Sequence, residues 1–289
     1  MGKIYISDLD GTLLRNDATL SEYSRKNLIE IINRGINFTI ASARSIYSIQ
    51  RILKGLPFKL PVIEFNGAYI SDFNTGEHLI INDIHSELCF DLLTLMDKYN
   101  GIPYVSTFDG EKNNLYYRET NNYGMEWYLN DRIRMNDKRL RRVNDFRKIV
   151  KEHIVCFTII NKKEKLIELE KELKYRYAHA LEIHIMENKY SPGWYWLSIH
   201  DKKATKARAI QTLRNTMDLN NHETIVFGDE VNDVHMFKMA DKAVAVKNAK
   251  AELKKHAKEI IGRNEEDSVV KYILKDVYGG ENQIKEQIS

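Results

Sequence analysis

The sequence contains few cysteines and no long run of apolar residues. Cys89 and Cys156 are the only cysteines among 289 residues, and their spacing matches neither a metal-ligand motif nor a redox motif. We therefore predict two buried, reduced thiols rather than a disulfide framework. The longest clear apolar run, IVCFTII at 154–160, is much shorter than a membrane-spanning helix and is typical of a buried strand. No membrane partner is expected.

A strong excess of charge of one sign is also missing. The formal net charge is only +3, which is too small to indicate a nucleic-acid partner. The basic segment at 132–151 is interpreted as a solvated helical face in preference to a surface for nucleic acid. Asp8 and Asp10 stand where an export signal would need its apolar segment, so a cytoplasmic location is expected. Hydrophobic content of 43% and charged content of 29% are typical of a globular protein with one or two domains.

Predicted strands and helices alternate through the first part of the chain. Ser21 is a plausible N-cap for the first helix, and Gly35 a plausible end. Strands that alternate with helices are typical of a parallel sheet, whose ligands bind at the carboxyl ends of the strands. The predicted elements, in chain order, are a strand at 3–7, a helix at 20–35, a strand at 36–42, a helix at 45–53 and a strand at 61–70.

The alternation breaks off near residue 84 and returns near residue 196. The residues between mix helices with several strand-like runs, which predicts an independent α+β unit. Afterwards a strand at 224–229 lies between predicted helices, the last of them at 251–261. The predicted fold class is α/β, with a doubly wound, parallel-sheet, Rossmann-like core and an inserted α+β cap domain. The predicted domains are a first core part at 1–83, the insertion at 84–195 and a second core part at 196–289.

Two acidic residues follow the first strand, in the stretch SDLDGTL. Asp and Gly are common in turns, so Asp8 and Asp10 could simply end the strand. If strand alternation continues through Asp10, however, both carboxylates lie on the same face while Leu9 points away. Two close carboxylates raise each other's pKa unless a cation compensates them. The pair therefore predicts a cation or a lysine nearby.

Further polar residues end other predicted strands. Asp229 ends the strand at 224–229, and three acidic side chains that converge at one sheet edge would favour Mg²⁺. Asp233 follows four residues later, where a helix cap is an equally good interpretation. Ser42 could bind a phosphate oxygen or cap a helix. Lys206 opens a predicted helix and could compensate the acids, or be an ordinary surface lysine.

Taken in order, these segments resemble the four motifs of the haloacid dehalogenase-like phosphohydrolases. The quoted segments are DLDGTL at 8–13, Ser42 in TIASAR, Lys206, and GDEVND at 228–233. The insertion resembles the large α/β cap of the Cof-type branch, and NGAYI at 66–70 and VKNAKAEL at 246–253 are similar to further segments of it. Three departures are visible: Ser42-Ala43-Arg44 stands where the family more often has Thr-Gly-Arg, Ala207 follows the lysine in place of glycine, and the loop before the lysine, HDKKAT, is less apolar than usual. Lys202 and Lys203 are competing candidates for the motif lysine, but only Lys206 matches the family's spacing to the helix.

The resemblance implies a role for each matching residue. Asp8 would be the nucleophile and Asp10 the general acid and base, with Lys206 as the third catalytic residue. Asp8, the Asp10 carbonyl and Asp229 would hold Mg²⁺. Thr12 and Asp233 would contact these ligands and orient them. The groups expected to bind the phosphoryl oxygens are Lys206, Ser42, Asn232 and the backbone amides at Leu9 and Ala43.

The implied function is a Mg²⁺-dependent phosphatase that acts on a small phosphorylated metabolite, such as a sugar phosphate, through an aspartyl-phosphate intermediate. Two alternatives stay open. A sugar phosphomutase would keep the same intermediate and return the phosphoryl group to another hydroxyl. A signalling or binding-only protein would accept or hold phosphate without turnover. The oligomeric state and the substrate are not indicated by the sequence.

Overall fold

The structure, a computed structural model, describes residues 2–279. Its strands are β1 (Lys3–Ser7), β2 (Asn37–Ile40), β3 (Val62–Glu64), β4 (Tyr69–Ser71), β5 (His78–Ile81), β6 (Pro103–Phe108), β7 (Asn113–Tyr117), β8 (Leu140–Arg142), β9 (His153–Asn161), β10 (Leu181–Glu187), β11 (Tyr195–Asp201), β12 (Glu223–Gly228), β13 (Lys242–Ala245) and β14 (Glu259–Ile260). Its helices are α1 (Glu22–Asn33), α2 (Ile46–Ile52), α3 (Ser86–Lys98), α4 (Tyr123–Arg134), α5 (Lys163–Tyr177), α6 (Lys206–Thr216), α7 (Val234–Met239), α8 (Ala251–Lys254) and α9 (Ser268–Tyr278). Within the described residues, no helix is both long enough and apolar enough to cross a membrane.

The described chain divides into two compact units. The first unit comprises residues 2–80 and 205–279, and the second comprises residues 81–204. The domain boundaries predicted from the sequence, after residues 83 and 195, stay a prediction. Residues 280–289, which were assigned to the second core part, lie outside the described residues.

A five-stranded parallel sheet forms the centre of the first unit. Its strand order is β14-β13-β12-β1-β2, so the first strand of the chain lies between β12 and β2. The strands β1, β2, β12 and β13 are buried beyond their first residues and are largely apolar, as expected when helices cover both faces of a parallel sheet, whereas β14 at the edge is exposed. Helix α1 contacts α9, and α6 contacts α7. The predicted α/β fold class is confirmed by this arrangement.

Helix α1 shows how local sequence sets an element of this unit. Leu28, Ile31 and Ile32 recur at helical spacing and are fully buried. The Ser21 hydroxyl accepts a hydrogen bond from the Ser24 N–H at 2.9 Å, and Gly35 follows the helix with a φ of 84°. The predicted cap and the predicted end of this helix are both confirmed.

A small antiparallel sheet, β3-β4-β5, also begins in the first unit. The single strand predicted at 61–70 is wrong, because β3 and β4 are separated by a turn at Phe65–Gly67. All three turn residues have positive φ, a conformation that cannot continue a strand. The predicted helix at 251–261 is also wrong in its second half, where β14 pairs with β13.

The second unit is built on a six-stranded sheet in the order β10-β11-β9-β6-β7-β8. All its pairs are antiparallel except β7 with β8. Buried residues of α3, α5 and the sheet form one core, and a smaller cluster includes Met125 of α4. Cys89 and Cys156 are buried and unbridged, so the prediction of two reduced thiols is confirmed.

Candidate active site

Asp8 lies directly beyond the carboxyl end of β1. Its N–H donates to the Phe227 carbonyl of β12 at 3.0 Å, which extends the parallel pairing by one residue. The chain then leaves the sheet, because residues Leu9–Leu13 form one helical turn in which Gly11 has a φ of 79°. The expectation that strand alternation continues through Asp10 is therefore wrong. The Gly11 carbonyl accepts a hydrogen bond from the Asn248 side chain at 2.7 Å, in the segment VKNAKAEL.

Lys206 brings two of the acidic residues together. It is the first residue of α6, after the N-cap Thr205, and its side chain is almost completely buried. The Lys206 Nζ donates to Asp8 Oδ1 at 2.6 Å and to Asp233 Oδ1 at 2.7 Å. Burial lowers the pKa of Lys206, but the carboxylates of Asp233 and Asp8 outweigh it, so its pKa is raised. The lysine is therefore a buried cation and not an ordinary surface residue.

Asp233 is held from both sides and is fully buried. While its Oδ1 accepts from Lys206, its Oδ2 accepts the backbone N–H groups of Asp229 at 3.0 Å and Glu230 at 3.1 Å. A Cβ atom at Gly228 would lie 2.6 Å from this Oδ2, so a residue without a side chain is needed there. Asp233 thus ties the loop after β12 to the lysine.

Asp229 directly follows β12, and β12 is the strand next to β1. Its Oδ1 accepts a hydrogen bond from the Thr12 hydroxyl at 3.2 Å, and its carbonyl accepts from the Lys250 N–H at 2.8 Å. Two widely separated parts of the chain therefore contact Asp229, one at its side chain and one at its backbone carbonyl. The resemblance implies that Thr12 orients the acidic groups, and that role stays a prediction beside the observed contact.

The three carboxylates form a compact, buried cluster. Ligand oxygens of Asp8, Asp229 and Asp233 all lie within 4.8 Å of one another, and all three residues are buried. Burial is the main reason that the pKa of Asp8 is raised to about 8; Lys206 opposes the rise, while Asp233 and Asp229 add to it. One ammonium group cannot neutralise three carboxylates. A divalent cation with oxygen ligands fits this cluster.

Asp10 is held by a different cation. Arg44 donates from Nε to Asp10 Oδ2 at 2.7 Å and from Nη2 to Asp10 Oδ1 at 2.6 Å, a bidentate pair. A third guanidinium N–H donates to the Ser48 hydroxyl at 2.9 Å. The sequence showed Arg44 only as part of a motif, without a role. A basic residue two positions after Ser42 was the available signal for this contact.

Ser42 is buried at the end of the strand region that follows β2. Its N–H donates to the Ile63 carbonyl at 2.9 Å, and its hydroxyl accepts from the Arg44 N–H at 3.2 Å. Ala43, between these two residues, is exposed, whereas Leu9 is fully buried. The predicted roles of their backbone amides at the phosphoryl group stay predictions.

Asn232 lies in the loop after β12 and meets a residue that carried no predicted role. Its Nδ2 donates to Asn66 Oδ1 at 3.1 Å. Asn66 in turn donates its backbone N–H to the Ser42 carbonyl at 2.9 Å. The motif NGAYI drew attention to Asn66, but no local pattern in the sequence indicates a contact with Asn232.

Known proteins resemble this chain in sequence and in fold. The family described as haloacid dehalogenase-like hydrolase matches residues 5–273. A protein of Buchnera aphidicola subsp. Baizongia pistaciae is 31% identical over 278 residues, which cover 94% of this chain and 97% of that protein. The 5-amino-6-(5-phospho-D-ribitylamino)uracil phosphatase YitU of Bacillus subtilis is 24% identical over 273 residues, covering 92% and 94%. A crystal structure of a haloacid dehalogenase-like hydrolase from Bacteroides thetaiotaomicron has a TM-score of 0.78 and 25% identity, covering 96% and 100%.

The chain belongs to the haloacid dehalogenase-like hydrolases. The family match spans both parts of the first unit and the second unit between them. The predicted family and the predicted enzyme class, a hydrolase of the phosphatase type, are confirmed by these matches.

Proposed function

We propose that this enzyme is a Mg²⁺-dependent phosphatase that hydrolyses a small phosphorylated metabolite through an aspartyl phosphate on Asp8. One observation carries the proposal: the buried Asp8 carboxylate is fixed by Lys206 at 2.6 Å, with the carboxylates of Asp229 and Asp233 within 4.8 Å. A fixed, buried carboxylate beside a cation site is what nucleophilic attack on a phosphate ester requires. The name of the Bacillus subtilis relative, a phosphatase, supports the reaction class.

In the first step, an oxygen of Asp8 forms a bond to phosphorus while the bond from phosphorus to the leaving oxygen breaks. Asp10 donates a proton to that leaving oxygen. In the second step, Asp10 removes a proton from water as the water oxygen attacks phosphorus. The bond between Asp8 and phosphorus then breaks, which releases inorganic phosphate and restores the Asp8 carboxylate.

The metal would be held by the carboxylates of Asp8 and Asp229 and by the Asp10 carbonyl. Asp233 contributes a further buried carboxylate oxygen to the same cluster. When bound, Mg²⁺ supplies positive charge that lets an anionic carboxylate approach an anionic phosphate. Hard oxygen donors of this kind favour Mg²⁺ over softer metals.

The remaining polar groups are suited to bind the phosphoryl oxygens. Lys206 is a buried donor already directed at Asp8, and Ser42 and Asn232 lie on neighbouring loops. With the amides at Leu9 and Ala43, these groups would surround the phosphoryl group. Such fixed donors stabilise the charge that develops during transfer.

Phosphate release measures the proposed function directly. We expect the purified protein to release phosphate from p-nitrophenyl phosphate with Mg²⁺ and to lose that activity with EDTA. Sugar-alcohol phosphates are the first natural substrates to test, because the substrate in the relative's name carries a phosphoribityl group. Inactivity over a broad panel of phosphate esters with Mg²⁺ would refute the proposal.

A further inference from the structure

The turn at Phe65–Gly67 has an unusual backbone. The φ angles of Phe65, Asn66 and Gly67 are 47°, 56° and 106°, so three consecutive residues lie on the left-handed side. Non-glycine residues adopt this conformation rarely, and an aromatic residue more rarely than asparagine. Backbone strain of this kind persists only where the surroundings fix it, and it is concentrated at functional sites.

The surroundings that fix this turn are themselves parts of the candidate active site. Phe65 N–H donates to the Arg44 carbonyl at 3.1 Å, and Asn66 N–H donates to the Ser42 carbonyl at 2.9 Å. On the other side, a Cβ atom at Gly67 would lie 2.5 Å from the carbonyl oxygen of Thr205, the N-cap of α6. The turn is therefore packed between the Ser42 loop and the helix that begins with Lys206.

The Asn66 side chain adds a third connection. Its Oδ1 accepts the hydrogen bond from Asn232 Nδ2 at 3.1 Å. The other polar atom of that amide, Asn232 Oδ1, is buried and has no hydrogen-bond partner among the described residues. The contact with Asn66 is thus the hydrogen bond that sets the orientation of the Asn232 amide. An amide with one fixed N–H retains a second N–H for a ligand.

We propose that Asn66 is a positioning residue for phosphate binding, and that it acts through Asn232. The left-handed backbone places the Asn66 side chain beside the loop after β12, and its Oδ1 holds one N–H of Asn232. The second N–H is then presented to a phosphoryl oxygen. This inference rests on the proposed function, in which Asn232 is a phosphoryl ligand.

Asn66→Gly separates the side chain from the backbone, because glycine adopts positive φ without strain. We expect this variant to keep the thermal unfolding midpoint of the wild type. Its dissociation constant for inorganic phosphate, measured by calorimetry with Mg²⁺, should rise about tenfold, since the Asn232 amide is no longer held in the orientation that donates to the charged phosphate. Asn100→Gly is the matched control: Asn100 also has a positive φ, of 53°, but is exposed at the end of α3 in the second unit.

A double-mutant cycle with Asn232→Ala tests whether Asn66 acts through Asn232. If it does, Asn66→Gly weakens phosphate binding in the wild type but changes it less than twofold once the Asn232 amide is gone. A purely structural role for the turn would give the same tenfold loss in both backgrounds. That result overturns the proposal, as does a well-folded Asn66→Gly variant with wild-type phosphate affinity.

A second variant keeps the test decisive if Asn66→Gly does not fold. Asn66→Ala removes the acceptor oxygen without adding a charge, and it retains a Cβ atom in the turn. Its effect on phosphate affinity must differ at least threefold between the Asn232 and Asn232→Ala backgrounds; equal effects overturn the proposal. A wild-type protein that neither binds phosphate nor hydrolyses any ester refutes the proposed function instead. An active wild type with an unchanged Asn66→Gly variant refutes only the role of Asn66.

Discussion

At the scale of single residues, the two acids of the opening motif have separate environments. Asp8 is buried and contacts Lys206, whereas Asp10 is paired with Arg44. Carboxylates two positions apart are thus held by different cations. In the proposed mechanism they have two different roles, one as nucleophile and one as proton carrier.

Substitution of each acid should give a different defect. Asp8→Asn removes the nucleophile, so we expect no detectable aspartyl phosphate and no turnover. Asp10→Asn should slow turnover by about 10²- to 10⁴-fold, the range typical for loss of a general acid or base. Acid-quench trapping of phosphorylated protein, combined with steady-state rates, distinguishes the two variants. Near-normal turnover by Asp8→Asn would exclude the covalent mechanism.

Arg44→Ala should impair the same step as Asp10→Asn, but less strongly. Without the bidentate contact, Asp10 loses its fixed orientation, and a misplaced catalytic group can cost up to about a hundredfold in rate. We expect kcat for p-nitrophenyl phosphate to fall at least tenfold and KM to change little. Arg25→Ala is a suitable control, because Arg25 donates to the backbone carbonyl of Ile52 and contacts no carboxylate among its described partners. Equal rates in both variants would contradict the assigned role.

At the scale of elements, close packing in the loop after β12 sets the position of the acidic cluster. Gly228→Ala would place a methyl group 2.6 Å from Asp233 Oδ2. The Asp233 carboxylate must then move away from Lys206 and from the two backbone N–H groups whose hydrogen bonds it accepts. Overpacking of this kind typically costs about 1–3 kcal/mol. We expect a lower unfolding midpoint and a weaker dependence of activity on Mg²⁺, measured by thermal denaturation and metal titration.

Gly101→Ala provides the comparison for that substitution. The atoms nearest to a Cβ atom at residue 101 would be the ends of side chains, the first of them at 3.2 Å. Every backbone atom would lie farther away than these side-chain atoms. Because Gly101 lies in the second unit, its substitution should leave the Mg²⁺ dependence unchanged. A normal Mg²⁺ titration for Gly228→Ala would show that Asp233 tolerates the displacement.

The elements also show what a sequence can and cannot predict. Helix α1 was predictable because its cap, its apolar spacing and its terminal glycine are all local. The strand predicted at 61–70 failed because the turn at Phe65–Gly67 is imposed by tertiary contacts with the Ser42 loop and α6. Helix α9 was not predicted, although Val269, Val270 and Ile273 are buried in the core. The motif acids were predictable by type, whereas the contacts of Arg44 and Asn66 depend on the fold.

At the scale of the whole molecule, acid sensitivity should originate partly in the second unit. His200 is buried there, with Nδ1 3.0 Å from the Val155 carbonyl. Burial lowers the pKa of His200 to about 4, below its usual value of 6.5. The unfolded chain therefore binds this proton more tightly than the folded protein does. Stability is fully present above pH 6.5 and is lost as the pH falls towards 4.

We expect the free energy of unfolding to be about 2 kcal/mol lower at pH 5 than at pH 7 on account of His200. His200→Gln should reduce this difference. Glu182, whose pKa is lowered to about 2 although burial alone would raise it, loses its stabilising contribution only below about pH 4.5 and does not interfere. All three tryptophans, at positions 127, 194 and 196, lie in the second unit, so fluorescence during urea denaturation reports its unfolding. An unchanged pH dependence in His200→Gln would contradict the assignment.

The position of β1 in the sheet has a consequence for biosynthesis. This strand is synthesised before the rest of its sheet, yet one of its two partners, β12, begins only at Glu223. The second unit, by contrast, is one continuous segment that ends at residue 204. During translation its chain is complete before β12 has been made, while Ile4, Tyr5 and Ile6 still lack one of their neighbouring strands. Domains generally fold as units, and pairing between distant segments is slow. The second unit is thus expected to fold before the sheet of the first unit is complete, and Asp8 meets Lys206 only after about two hundred further residues have been added.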